Sequence, residues 1–476
     1  MSPGPTALVI GSGVIGLETA KQLLKHNIHV ILRSPFHPLR GTHLRESSVT
    51  NTALQNCSIG SGGKWFPTKC DDSRISDWAL KTLDFLLEFH ETHNKQENII
   101  EIVPTINAFQ EKPPENASYS FDHPPPWSEH PAVRFERLSI QQLYDKYASE
   151  YRLPNYETII QNKYSMAWLY HIPIVDTPRM VEVWIFFFFF LNGFFFVCFL
   201  ATFIYLVFVF ATTNCLFTHD TTFFFLKYML SEIINHPIMK HDIEMYEEKK
   251  KSIPEDTHIP PIHLETNKYY SSTQAMIEDA KLHYPQCPYI FNCTGLGCAN
   301  SPESLRKNTN SMNTHKLQFI DPKMVGGRGI LLYYDRNNIV RRDCYNDSKK
   351  IDVSISIEQG PWGSPTQPAY VIPRGQVLVC GGSYNKNDHY PFITQEERHT
   401  LKQTASNLAC IDVENTTPWG EWVGFRPVRD DGSVRIEMEY DTESSLKVIH
   451  NYGHGGSGWT VYVGAVQAAI SLIKNG

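Results

Sequence analysis

The chain has 476 residues, enough for one large unit or two to three ordinary domains, and its 42% hydrophobic content allows a sizeable core. A net charge of −7, with no strong clustering of Lys and Arg, excludes a phosphate-tracking nucleic-acid surface. The ten cysteines exclude a zinc site by spacing, because Cys293 and Cys298 lie five apart with no second pair. The opening Met1-Ser2-Pro3-Gly4-Pro5 has no basic region and no long apolar region behind it. A secretory signal is therefore not expected, and a reducing compartment without disulfides is.

In chain order, Ala7 to Ile10 reads as a buried strand and Gly11 to Gly16 as a glycine turn. Leu17 to Lys25 has helical spacing, with Leu17, Ala20, Leu23 and Leu24 on one face, and Ile28 to Leu32 is a second strand. This βαβ start predicts the α/β class with a Rossmann-like dinucleotide-binding domain. A helix is predicted over Ser76 to Glu91, with Trp78, Leu83, Phe85, Leu86 and Phe89 apolar. Pro113 to Pro131 is irregular, Glu244 to Pro261 is a charged connector, and Ser301 to Asn313 is a polar surface insertion. Beyond Pro361, short strands over Tyr370 to Ile372, Val377 to Cys380 and Val434 to Met438 alternate with turns. The last element, Val461 to Lys474, is an amphipathic helix.

Val183 to Phe225 breaks this pattern. Phe186 to Phe190, Phe194 to Phe196 and Phe223 to Phe225 are phenylalanine runs, and Trp184 to Phe210 carries no charge. Length and hydropathy make it a transmembrane candidate. Its position argues otherwise: Thr177 to Glu182 starts a helix that Leu226 to Ile234 continues once the segment is skipped. The segment is read as a translated non-coding insert, with a membrane anchor and a core element as alternatives. Membrane association then depends on retention and insertion of 183–225, and an inactive or membrane-tethered product is one alternative for the whole chain.

Three glycine-rich blocks carry the chemistry. Gly11-Ser12-Gly13-Val14-Ile15-Gly16 fits G-x-G-x-x-G between a strand and a helix. Its glycines allow a tight turn, close approach of backbone to a pyrophosphate, and close helix–strand packing. The N–H groups of the helix start, at Val14 and Ile15, then face the phosphates. The acidic residue expected some 20 positions on, for the ribose hydroxyls, is absent. The second strand ends instead in Arg33 and Ser34, of which Ser34 offers one ribose hydrogen bond and Arg33 a phosphate contact. Tyr289 to Gly297 is an apolar strand ending in Thr294-Gly295-Leu296-Gly297, where backbone can run close to a flat cofactor. Val448 to Thr460 is a strand, a glycine run and a helix start. Gly455, Gly456, Ser457, Gly458 and Thr460 present backbone N–H groups and a hydroxyl suited to isoalloxazine carbonyls. His450 and His454 have no acidic third ligand nearby, so no metal is expected. In Gly424-Phe425-Arg426-Pro427-Val428-Arg429, Arg426 suits bidentate recognition of a carboxylate, while Arg429 reads as a surface pair with Asp430 or Asp431.

These blocks, with Ala369-Tyr370-Val371-Ile372-Pro373-Arg374 and Gly381-Gly382-Ser383-Tyr384, occur in the order and spacing of D-amino-acid oxidases, so the chain resembles that family, most closely its fungal type. The resemblance implies a Rossmann-like FAD-binding domain with an interleaved mixed α+β substrate domain. It divides a single unit over 5–474 into FAD-binding parts at 5–75, 172–182, 226–300 and 420–474, and substrate-binding parts at 76–171 and 326–419. By resemblance, Gly11, Gly13 and Gly16 hold the FAD pyrophosphate, and Gly455, Gly456, Ser457 and Thr460 contact the flavin. Arg426 and Tyr370 bind the substrate α-carboxylate, Tyr384 is the second active-site tyrosine, and Ser457 also borders the substrate. The implied reaction takes a D-amino acid and O₂ to a 2-oxo acid, ammonia and hydrogen peroxide. A peroxisomal or cytoplasmic location is expected, although the chain ends Ile473-Lys474-Asn475-Gly476 without Ser-Lys-Leu. A homodimer is admitted. Tyr384, where acidic-substrate relatives carry an arginine, favours neutral substrates. D-aspartate oxidase is the nearest alternative, and a nicotinamide-dependent dehydrogenase is the alternative of another class.

Overall fold

The computed structural model describes residues 5–34, 57–67, 72–93, 99–110, 124–151, 153, 164–191, 262–265, 270, 273–298, 321–340, 351–357, 369–441 and 445–475. In chain order the first elements are β1 (Thr6–Ile10), α1 (Val14–Lys25), β2 (His29–Arg33), α2 (Ile75–His93) and β3 (Ile100–Gln110). Then come β4 (Glu136–Ser139), α3 (Ile140–Tyr151), β5 (Tyr164–Val175), α4 (Thr177–Leu191), β6 (Ile262–Glu265), α5 (Thr273–His283) and β7 (Tyr289–Asn292). The second half holds β8 (Met324–Asp335), β9 (Ser354–Ile357), β10 (Ala369–Arg374), β11 (Val377–Gly381), β12 (Asn385–Lys386) and α6 (Gln395–Ala409). It closes with β13 (Gly420–Arg429), β14 (Arg435–Asp441), β15 (Leu446–Tyr452) and α7 (Gly458–Asn475).

Two sheets organise these elements. A six-stranded sheet runs β14-β15-β7-β1-β2-β6, parallel from β15 to β6 with β14 antiparallel at the edge. All five residues of β1 are buried, as a central strand covered on both faces requires. Strand β1 lies between β2 and β7, so the strand order reverses there and opens a crevice at its carboxyl end, where α/β folds bind nucleotides. The nine-stranded sheet runs β12-β8-β11-β10-β9-β3-β5-β4, with β13 paired to β8. This is the α/β fold with a second, mixed substrate sheet that the sequence implies.

The seams differ in place. Strand β13, counted with the FAD-binding parts on sequence, pairs antiparallel with β8 along its whole length, Gly420 to Tyr333 through Arg429 to Met324. Helix α2, counted with the substrate parts, packs on α7. There a Cβ at Gly464 would come within 2.8 Å of Trp78, so the helices meet backbone to backbone. Helix α7 is also the one described helix long and apolar enough to cross a membrane, and it lies largely buried inside the protein.

The phenylalanine segment begins inside α4. Trp184 and Ile185, assigned to the insert on sequence, are buried core, and Trp184 stacks on Trp459 with centroids 5.5 Å apart. The anomaly therefore starts after Ile185, because the helix carries its apolar face past Glu182. The rest of the segment beyond Leu191, and the predicted continuation over Leu226 to Ile234, lie outside the described residues.

Candidate active site and cofactor cradle

The glycine turn after β1 is built as its residue types demand. Gly11 has φ +114, and a Cβ there would overlap the Cys293 carbonyl at the end of β7. A Cβ on Gly16 would overlap the Gly11 carbonyl. These contacts draw α1, β1 and β7 together. Gly13 caps α1 with no side-chain cap hydrogen bond, and no acidic residue lies in the first helical turn. A helix start of that kind suits an anion. The Val14 N–H is already engaged, donating to Ser58 Oγ at 3.1 Å.

Ser34 lies beside the turn, its hydroxyl 2.6 Å from that of Ser12. Arg33 turns away. Its guanidinium is ion-paired with Asp279, bonded to Tyr270, and bonded to the Tyr284 hydroxyl at 2.8 Å. Three aromatic and acidic partners on and around α5 thus hold the arginine offered for a phosphate. No local pattern announced them, because Asp279 lies 246 residues along the chain.

The third glycine block folds as a 3₁₀ turn, Gly455–Ser457, that feeds α7. Gly458 at the start of α7 faces Val14 at the start of α1, so two helix N-termini adjoin. The Thr460 hydroxyl is bonded to the Phe66 main chain, accepting from its N–H at 3.2 Å and donating to its carbonyl at 3.3 Å. Gly295, at φ +55, lies 3.7 Å beneath Pro427 when a Cβ is built on it. His454 is buried, which pushes its imidazole down to about 3, so it stays neutral and holds the loop by packing. His450 is bonded to Asn292 at 3.1 Å. Among the described residues no three His, Cys, Asp or Glu side chains gather to hold a metal ion.

Arg426 on β13 is the junction of the two halves. Its Nη1 donates to the Ser383 carbonyl at 3.0 Å. Its stem packs against the flavin-side turn, where a Cβ on Gly456 would sit 3.5 Å from Arg426 Cδ. Its guanidinium carbon lies 5.8 Å from the centre of the Tyr384 ring. Burial pushes the Tyr370 phenol up while the Arg426 charge opposes that shift, so the two groups are neighbours and the hydroxyl stays protonated. The structure thus brings Tyr370, Tyr384, Arg426 and Gly456 to one place.

Three glycines make that convergence possible, and sequence reasoning missed two of them. A Cβ on Gly327 would lie 2.6 Å from the Tyr384 ring. One on Gly329 would overlap the Arg426 guanidinium, and one on Gly381 the Tyr370 ring. Glycines inside a paired strand signal close approach, and Gly326-Gly327-Arg328-Gly329 carries that signal. Arg328 points to the opposite face. There it is bonded to Glu397 at 2.5 and 3.0 Å and to the carbonyls of Tyr390 and Phe392, which fixes β8. Because the atoms displaced at Gly329 are the mobile end of Arg426, Gly329→Ala should keep the fold. Its kcat/KM should fall about 10²-fold, the cost of misplacing a substrate anchor by an ångström. Steady-state kinetics with flavin content as control checks this, and unchanged kcat/KM would show that Arg426 does not position substrate.

Arg429 is not the surface pair expected. Its Nε donates to Asp321 at 3.0 Å with both side chains largely buried, and Asp431 is a distant second partner at 3.9 Å.

Comparison with known proteins agrees with this geometry. Residues 279–470 match the family model described as FAD dependent oxidoreductase, DAO. A D-amino-acid oxidase of Dictyostelium discoideum is 36% identical over 109 residues, 23% of this chain and 31% of that one. A D-aspartate oxidase of Caenorhabditis elegans is 45% identical over 112 residues, 22% of this chain and 32% of that one. The matched stretch thus spans 31–32% of the length of these curated relatives. In fold, the chain is similar to glycine oxidase from Bacillus cereus, with TM-score 0.55 at 11% identity over 99% of this chain and 95% of the other. Glycine oxidase from Geobacillus kaustophilus gives TM-score 0.54 at 11% identity, over 99% and 95%. The glycine cradle, the two helix starts and the 3₁₀ turn fit FAD. Residues 279–470 therefore match a FAD-dependent oxidoreductase domain of the DAO family, whose cofactor is FAD.

Proposed function

We propose that this protein oxidises D-amino acids. The observation that carries the reading is the placement of Arg426, flanked by Tyr370 and Tyr384, directly on the Gly455–Ser457 turn. A guanidinium grips a carboxylate in two parallel hydrogen bonds, which fixes direction as well as position. Tyr370 donates its protonated hydroxyl to the same carboxylate. With the carboxylate fixed, the Cα–H bond of one enantiomer points toward the flavin side. FAD supplies a two-electron acceptor that O₂ reoxidises. Hydride loss from Cα needs alignment more than an acid or base, and the site offers a clamp and hydroxyls rather than a triad.

The overall balance is D-amino acid plus O₂ plus water giving 2-oxo acid, ammonia and hydrogen peroxide. The imino acid formed by loss of two hydrogens takes up the water. The test is oxygen uptake with paired D- and L-amino acids. Peroxide should appear in proportion to oxygen with the D series only, and oxygen uptake with the L series at equal efficiency would reject the reading.

A further inference from the structure

Four described arginines are almost fully buried: Arg33, Arg328, Arg336 and Arg374, none more than 2% exposed. Three of them meet a carboxylate. Arg33 is ion-paired with Asp279, Arg328 with Glu397, and Arg336 with Glu101 and Asp352. Arg374, at the end of β10, is the exception. Its Nη1 donates to the Ser61 carbonyl and to Thr177 Oγ1, the latter at 3.2 Å, while Nε and Nη2 are buried without a hydrogen-bond partner. The guanidinium carbon lies 5.3 Å from the centre of the Tyr333 ring.

Among the described residues no acid cancels this charge. Asp176 feels it, but the Asp176 carboxylate faces the Arg179 N–H at the start of α4 and makes no ion pair with Arg374. Burial holds that carboxyl above the usual carboxylate range, which weakens its charge further. The start of α4, where Thr177 sits, is itself the positive end of a helix dipole. A buried cation without a counter-charge is costly, so its position calls for a partner beyond the side chains around it.

The place of Arg374 supplies one. Residues 57–67 run between β10 and the cofactor cradle. Near one end, Ser58 Oγ accepts from the Val14 N–H at the start of α1, and the Ser58 carbonyl accepts from Trp459 Nε1 at the start of α7. Near the other, the Phe66 N–H donates to the Thr460 hydroxyl of α7. Between them, Arg374 holds the Ser61 carbonyl, the Tyr333 hydroxyl holds the Gly60 carbonyl at 2.5 Å, and a Cβ on Gly63 would lie 3.3 Å from Arg374 Cδ. One layer of backbone thus separates the cation from the two helix starts that fit FAD.

We infer that Arg374 is a fixed positive charge that raises the reduction potential of the bound FAD. Reduction by two electrons and one proton, FAD + 2e⁻ + H⁺ → FADH⁻, takes the flavin ring from neutral to one negative charge. A cation behind the segment favours the charged ring and is indifferent to the neutral one. At about 10 Å, the spacing of two packed layers, and an effective dielectric of about 20, one charge shifts that equilibrium by about tenfold. Arg374 acts through its field and the segment it holds, so it is a positioning residue. The inference rests on FAD and goes beyond the D-amino-acid reading.

The test uses the purified flavin-containing full chain and needs no amino-acid substrate, so it is independent of that reading. The midpoint potential is read against a reference dye during slow reduction by xanthine and xanthine oxidase. Sulfite, which adds reversibly to oxidised flavin and places a negative charge on it, gives a second reading as an affinity. Arg374→Gln keeps a donor for the Ser61 carbonyl and removes the charge. It should lower the potential by about 30 mV, the equivalent of tenfold in a two-electron equilibrium, and weaken sulfite binding by about tenfold. Arg374→Lys keeps the charge and should stay near wild type in both. Tyr333→Phe releases the Gly60 carbonyl without touching the charge, and should leave the potential unmoved. Equal potentials in wild type and Arg374→Gln, or an equal fall in Arg374→Lys or Tyr333→Phe, would overturn the inference. Flavin lost from Arg374→Gln but kept by Arg374→Lys would support it, whereas flavin lost from both would make Arg374 a structural residue and overturn it.

Discussion

Arg426→Ala is expected to lower kcat/KM for any D-amino acid by about 30-fold to several thousand-fold, mainly through KM, with FAD still bound. The range follows from 2–5 kcal/mol for removing one partner of a desolvated, hydrogen-bonded charge pair. Flavin should stay because the Gly455–Ser457 turn meets the aliphatic stem of Arg426, near Cδ, whereas the guanidinium points to Ser383 and Tyr384. Arg426→Lys should fall between wild type and alanine, since an ammonium keeps the charge but loses the planar fork. Kinetics at saturating oxygen, with flavin content per protein measured on the same samples, distinguishes the outcomes. Wild-type kinetics in the alanine variant would make Arg426 a structural residue and remove the carboxylate clamp.

Gly16→Ala is expected to abolish flavin binding. The new methyl would overlap the Gly11 carbonyl, and Gly11 has no room to retreat. Its N–H donates to the Arg33 carbonyl at 2.7 Å, and its own Cα side faces the Cys293 carbonyl. The turn must therefore open, which moves the start of α1 off the crevice at the carboxyl end of β1. Gly458→Ala is the matched control. A Cβ there would meet only Val14 Cγ1 at 3.6 Å, an ordinary contact, so flavin content should stay near wild type. The pair separates a specific clash from a general intolerance of larger residues in glycine loops. Flavin absorbance in purified protein reads both, and equal flavin in Gly16→Ala and wild type would contradict the cradle.

What was legible in the sequence is what local pattern encodes. The βαβ start, helix α2 and helix α7 follow from hydrophobic periodicity, and β10 and β11 from short apolar runs between turns. The glycine blocks follow from the backbone geometry that only glycine permits. What stayed hidden depends on pairings set by tertiary structure. Strand β13 reads locally like any strand next to the last glycine block, and only its register with β8 puts it in the other sheet. Asp321 for Arg429 lies 108 residues away in sequence. Gly327 and Gly329 become informative only once the register places them opposite Arg426 and Gly424.

The central claim is that Arg426 aligns one enantiomer of an amino acid on FAD. Anaerobic mixing of the yellow protein with single enantiomers tests it most directly, because electron transfer to the cofactor bleaches the visible flavin band without any help from oxygen. The account predicts bleaching by a D-amino acid, none by its L enantiomer, and bleaching in Arg426→Ala only at far higher D-amino acid concentration. Bleaching by the L enantiomer at the same rate, or a yellow protein that no D-amino acid bleaches, would contradict it.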